Sequence, residues 1–147
     1  MQPQPTFAPA VPRGPRAYRQ QIRGIGPALG LFPPAALGAI SLLLLRGNTA
    51  STARGVGGFL AAILAAPGLL VAGAPLAGNT RVYATAVGGS AVMWLLLSLA
   101  AARRATRTPV ATWSDFWKQY LWLAGGVWLG VVGALVAANL LLGGAFL

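Results

Sequence analysis

Side chains able to transfer protons, attack carbonyls or hold metals are almost missing from this chain. Of 147 residues one is acidic, Asp115, and none is histidine or cysteine. General acid–base catalysis, covalent catalysis and metal binding draw mainly on carboxylate, imidazole and thiolate groups. Asp115 is the sole candidate carboxylate base or metal ligand, and its position has a simpler reading. In Thr112-Trp-Ser-Asp115 a hydroxyl residue is followed three positions on by an acid, a helix-capping pattern in which the carboxylate also offsets the helix dipole. Ser114 and Lys118 could be written as a nucleophile and its base, but such pairs stand four apart on any polar helix face. No GxxxxGK[ST] phosphate loop is present, and the glycine pairs at 57–58, 88–89, 125–126 and 143–144 lie in or at the ends of apolar stretches. The expectation is a chain that is not an enzyme, with no catalytic residue, no metal site and no cofactor.

What surrounds this gap is apolar and basic. Hydrophobic residues make up 56%, the mean hydropathy is +0.69 and the formal charge is +10. The apolar residues run in long blocks rather than amphipathic stripes, which excludes a soluble helical core with polar outer faces. Four uncharged blocks reach the roughly 18–20 residues that cross a bilayer as a helix: 24–45, 56–78, 82–102 and 120–142. The fold class expected is therefore an all-α integral membrane protein of four apolar helical segments, forming one polytopic domain over 24–147. No cleavable signal peptide is expected, because the polar, proline-rich start precedes an apolar block too long for one. Ten arginines to one lysine, with abundant Ala, Gly and Pro, suggest a high-GC bacterial source.

Each segment has its own interruption. Residues 1–23 hold prolines at 3, 5, 9, 12 and 15 and arginines at 13, 16, 19 and 23, and read as a disordered tail. The first block is expected to break at Pro33-Pro34, since two adjacent prolines remove two helix donors and crowd the preceding turn. Pro67 and Pro75 kink the second block, and Asn79-Thr80-Arg81 links it to the third as an antiparallel hairpin. After Pro109, a short interfacial helix over 112–119 precedes the last span. On it Trp113, Phe116, Trp117 and Tyr120 fall at i, i+3, i+4 and i+7, an aromatic face expected to anchor at the membrane interface. No internal repeat is visible.

Lys and Arg favour cytoplasmic loops. Four positives lie in the tail, two in the 46–55 connector, one at Arg81 and four in 103–119. Four spans with the tail outside split these six to five, whereas a re-entrant or interfacial first block puts ten on one side. Hydropathy favours a full crossing of 24–45, because 22 uncharged residues are costly to keep out of the bilayer core. Both arrangements put 103–119 in the cytoplasm and the C-terminal end outside, in a multi-pass protein of the cell membrane.

Arg103, Arg104, Arg107 and Lys118 form a cationic patch beside aromatics. Membrane segments bound it on both sides, so anionic lipid headgroups rather than nucleic acid are its expected partner. Gly126, Gly130, Ala134 and Ala138 set a small residue at every fourth position of the last block, a ridge suited to helix packing within the chain or between subunits. Gly130 is expected to face another helix and Val127 a different side. The functional expectation is a non-enzymatic scaffold or accessory subunit acting through contacts with a membrane partner or itself. The alternative is a transporter or pore subunit for a neutral or anionic solute, since no intramembrane charge is available to bind cations.

Overall fold

The computed structural model describes residues 15–47, 51–73 and 79–141. These are all-helical, in six elements: α1 (Pro15–Leu29), α2 (Phe32–Leu45), α3 (Thr52–Ala65), α4 (Gly68–Val71), α5 (Thr80–Ala105) and α6 (Trp113–Leu141). Among the described residues three helices are long and apolar enough to cross a membrane: Tyr18–Leu45, which joins α1 and α2, then α5 and α6, of 28, 26 and 29 residues. The second apolar block of the sequence does not form one. Its longest helix, α3, has 14 residues and stops before Pro67, about 21 Å at 1.5 Å per residue.

Three further departures have local causes. α1 begins at Pro15, inside the stretch expected to be disordered, with Ile22 fully buried and Gly26 against Phe116 and Ala102. Tertiary packing supplies what the polar sequence lacks. The expected tail over 1–14 lies outside the described residues. The first block breaks earlier than expected, at Gly30–Leu31, and Pro33 and Pro34 stand in the first turn of α2. There a missing N–H costs α2 itself no internal bond. The short helix expected over 112–119 is not separate, because it runs without interruption into α6.

The levels of the helices follow from a ladder of contacts. Arg19 and Arg23 bond to Thr106, just past the end of α5. An added Cβ at Gly26 would meet Phe116 and Ala102, and one at Gly30 would lie 2.6 Å from the Ser98 Cβ and 3.1 Å from the Tyr120 ring. α1 thus runs antiparallel to the last third of α5. α2 continues upward, and α3 folds back along it. The Ser41 hydroxyl donates to the Gly58 carbonyl at 2.7 Å, and a Cβ at Gly58 would sit 2.8 Å from Leu45. Small residues set that close approach.

α3 ends deep in the bundle, beside Trp94 in the middle of α5. The chain then reverses. Gly68 packs on Ala86 and Ser90, and Val71 and Ala72 share a surface groove with Val82 and Thr85, nearer the start of α5. Asn79 caps α5 by accepting from the Arg81 N–H at 2.9 Å. The α3–α4 segment therefore enters from the end where α2 finishes and returns toward that same end. The expected antiparallel hairpin of blocks two and three survives only as this short return along α5.

Gly30 is the tightest point in the ladder, so Gly30→Leu should lower the melting temperature of the purified chain in detergent sharply, by an overpacking cost of about 1–3 kcal/mol or more. A Cβ added at Gly88 meets nothing within 4 Å, so Gly88→Leu should melt close to the parent. Equal melting of the two variants would contradict this packing.

Candidate functional site

α5 carries the principal packing ridge. Ser90, Trp94, Ser98, Ala102 and Thr106 recur every fourth residue, and all are buried. The three hydroxyls are neutralised locally. Ser90 donates to the Ala86 carbonyl, Ser98 to that of Trp94 and Thr106 to that of Ala102, at 2.7–2.8 Å. Back-bonded in this way, Ser and Thr act as small residues in an apolar setting. The spacing was available in the sequence, but these hydroxyls are less conspicuous than the glycines of α6.

Around that ridge sit the helix breaks. Pro34 has no N–H to give the Gly30 carbonyl four residues earlier, and the Tyr120 hydroxyl donates to it instead at 2.7 Å. At the end of α3, the Gly68 N–H turns to the Ser90 hydroxyl at 2.9 Å and the Leu69 N–H to the Ala66 carbonyl. The carbonyls of Leu64 and Ala65 thereby lose their helical donors. Trp128 and Trp94 replace them through their indole N–H groups, at 3.3 and 2.7 Å. The same rings pack together, with centroids 6.1 Å apart for Trp94–Trp128 and 6.4 Å for Trp94–Tyr120. Beside them an open apolar crevice of about 680 Å³ lies between α2, α3 and α5, lined by Pro34, Gly38, Leu42, Ala65, Val87 and Trp94 among others.

The expected interfacial aromatics divide. Phe116 and Tyr120 are fully buried against α1 and α5, and belong to the core. Trp113 and Trp117 are half-buried, stacked edge-on against Phe116 at 5.9 and 5.2 Å. Interfacial contact is left to those two. Trp122, not singled out in the sequence, is 83% exposed.

The expected cationic patch is larger than its sequence neighbours. Arg103 and Arg104 occupy the last turn of α5, Arg107 follows it and Lys118 lies one turn beyond Asp115; all four are exposed. Arg19 and Arg23 of α1 join them from more than 80 residues away. The Arg19 Nη2 donates to the Thr106 carbonyl at 3.0 Å, and the Arg23 Nε to the Thr106 hydroxyl at 3.1 Å. Asp115 is engaged at the cap of α6. Its carboxylate accepts from the Thr112 N–H and hydroxyl at 3.0 and 2.7 Å, while its own N–H reaches back to Thr112 at 3.3 Å. This is the capping arrangement expected from the sequence.

The small-residue ridge on α6 faces outward. Gly126, Gly130, Ala134 and Ala138 are all exposed, and an added Cβ at either glycine would meet nothing within 4 Å. Among the described residues Gly130 faces no other helix, contrary to the intramolecular form of that expectation. Val127 instead packs against the core. No group of three or more potential metal ligands occurs among the described residues. No protein-family model matches this chain, and neither a curated protein nor a solved structure matches it.

The indole bond at the α3 end gives a direct test. Trp94→Phe keeps an aromatic ring but leaves the half-buried Ala65 carbonyl without its donor. A loss of about 1–2 kcal/mol of stability in detergent is expected. Trp122→Phe should cost nothing measurable, and a Trp94→Phe variant as stable as the parent would remove the cap from the account.

Proposed function

We propose that this chain is a non-enzymatic, multi-pass subunit of the cell membrane, acting through helix contacts with a membrane-protein partner or with a second copy. The observation that carries the reading is the second half of α6. From Leu129 to Leu141 only Val131 is buried, and Leu129 and Leu140 are each 74% exposed. Lipid can cover such a surface. The open ridge of Gly126, Gly130, Ala134 and Ala138, however, is what allows another helix to approach closely enough for dispersion contacts in a medium without a hydrophobic driving force.

Charge supports an orientation. With Tyr18–Leu45, α5 and α6 crossing and α3–α4 re-entrant, the helix ends carrying Arg16, Arg19, Arg23, Arg103, Arg104, Arg107 and Lys118 share one side. Arg46, Arg54 and Arg81 share the other. Seven positives against three is the asymmetry the positive-inside rule expects, and it favours a cytoplasmic α1 start and α5–α6 loop. In this reading three spans replace four, and the re-entrant element is the second block rather than the first.

Transport of a neutral or anionic solute is the second reading, favoured by one feature: interrupted helices meeting inside the bundle, as in many transporters. Against it, the carbonyls of Gly30, Leu64 and Ala65 are occupied by Tyr120, Trp128 and Trp94. Solute flux into liposomes containing this chain alone would favour transport over the subunit reading.

Two measurements test the leading reading. Single cysteines at Gln20 and Thr108 should label from the cytoplasmic side, and cysteines at Thr52 and Leu140 from the other; Gln20 and Thr108 on opposite sides would overturn the arrangement. Gly130→Leu should abolish co-purification of a stoichiometric partner or a crosslinked dimer without changing the melting temperature. Val127→Ala, on the packed side, should do the reverse.

A further inference from the structure

We infer that the arginines gathered on Thr106 form a binding site for a phosphate ester, supplied by the headgroup of an anionic phospholipid. Arg19 and Arg23 stand four residues apart on α1, and Arg103 and Arg107 stand four apart across the end of α5. Like charges at that spacing disfavour a helix, and here Arg19 and Arg23 converge on one buried threonine that Arg103 and Arg107 flank in the sequence. The only carboxylate side chain in the sequence, Asp115, is turned into the Thr112 cap. The C-terminal dipole of α5 offers about half a negative charge against these four positive ones. The convergence therefore lacks its counter-charge within the chain.

The geometry suits an oxyanion. Arg19 spends one N–H and Arg23 one N–H on Thr106, whose hydroxyl is itself fixed to the Ala102 carbonyl at 2.8 Å. Each guanidinium keeps further donors on a planar fork, and the threonine sets where that fork stands. Arginine forks bind phosphate oxygens in bidentate fashion, which a lysine cannot reproduce. Half-buried Trp113 and Trp117 at the same end mark the depth at which indole rings meet lipid headgroups. The anion abundant at that depth is the lipid phosphate. A basic site between helices at the membrane surface is the arrangement that holds such headgroups.

Arg104 is the internal control. Two residues before Thr106, it points about 160° away around α5, whereas Arg103 stands about 60° from it. General attraction to a charged surface would treat the two alike.

The test uses the full chain in a nonionic detergent, with bound lipid read by native mass spectrometry. Phosphatidylglycerol should be retained at one saturable site in preference to phosphatidylcholine. Arg23→Gln and Arg103→Gln should each lower its affinity about five-fold. Arg23→Lys should lose most of that amount despite keeping the charge, and Arg104→Gln should bind like the parent. Unchanged melting temperatures show that these variants fold. Equal retention of the two lipids, or equal losses for Arg103→Gln and Arg104→Gln, would overturn the site. Inorganic phosphate binding as tightly as phosphatidylglycerol would overturn the lipid as its source.

Discussion

In an apolar surrounding every backbone N–H and C=O has to find a partner inside the protein, and this chain places prolines where the helix can no longer provide one. The breaks at Gly30–Leu31 and at Ala66–Gly68 release carbonyls that water would otherwise cover. The long helices answer with side-chain donors: Tyr120 for Gly30, Trp128 for Leu64 and Trp94 for Ala65. Aromatic residues suit this task because one end donates a hydrogen bond while the ring remains apolar. The rest of the architecture depends on these three bonds.

They explain why the aromatics of α6 belong to two populations. Tyr120 and Trp128 are tied to breaks in other elements, and Phe116 fills the space between α1 and α5. Their spacing puts them on one face, but that face turns toward the bundle over most of its length. Beyond Tyr120 the outward surface of α6 is left to glycine, alanine, valine and leucine, with Trp122 as its exposed aromatic. A helix made in this way packs one side on its own chain and leaves the other exposed along most of its length.

The ends of the bundle differ as sharply as its faces. Among the described residues, one end holds Arg19 and Arg23 on Thr106 with Arg103, Arg104 and Arg107 beside it in the sequence, and the other holds Arg46, Arg54 and Arg81. The short α3–α4 segment makes this asymmetry possible. By turning back at Pro67 it returns the chain to the end it came from, so that the two arginine-rich segments fall together instead of apart. Topology and charge distribution are thus one fact, with the proline turn as its cause.

The sequence by itself determined the hydropathy pattern and the reactive groups on hand: uncharged blocks of twenty-odd residues are long enough for membrane helices, and a single acidic residue stands in a chain without histidine or cysteine. It also specified the Thr112–Asp115 cap, because capping is decided within four residues. Only the tertiary structure decided which block falls short of a full span. Hydropathy treats Gly24–Leu45 and Val56–Gly78 alike, and both contain prolines. Pro33 and Pro34 can be taken into the start of a helix, whereas Pro67 follows fourteen helical residues and ends them. Nor could spacing reveal which small-residue ridge is buried, since Gly126–Ala138 and Ser90–Thr106 both repeat every four residues. Partners in space settle that, and Thr106 meets Arg19 and Arg23 only because α1 folds across the chain onto the end of α5.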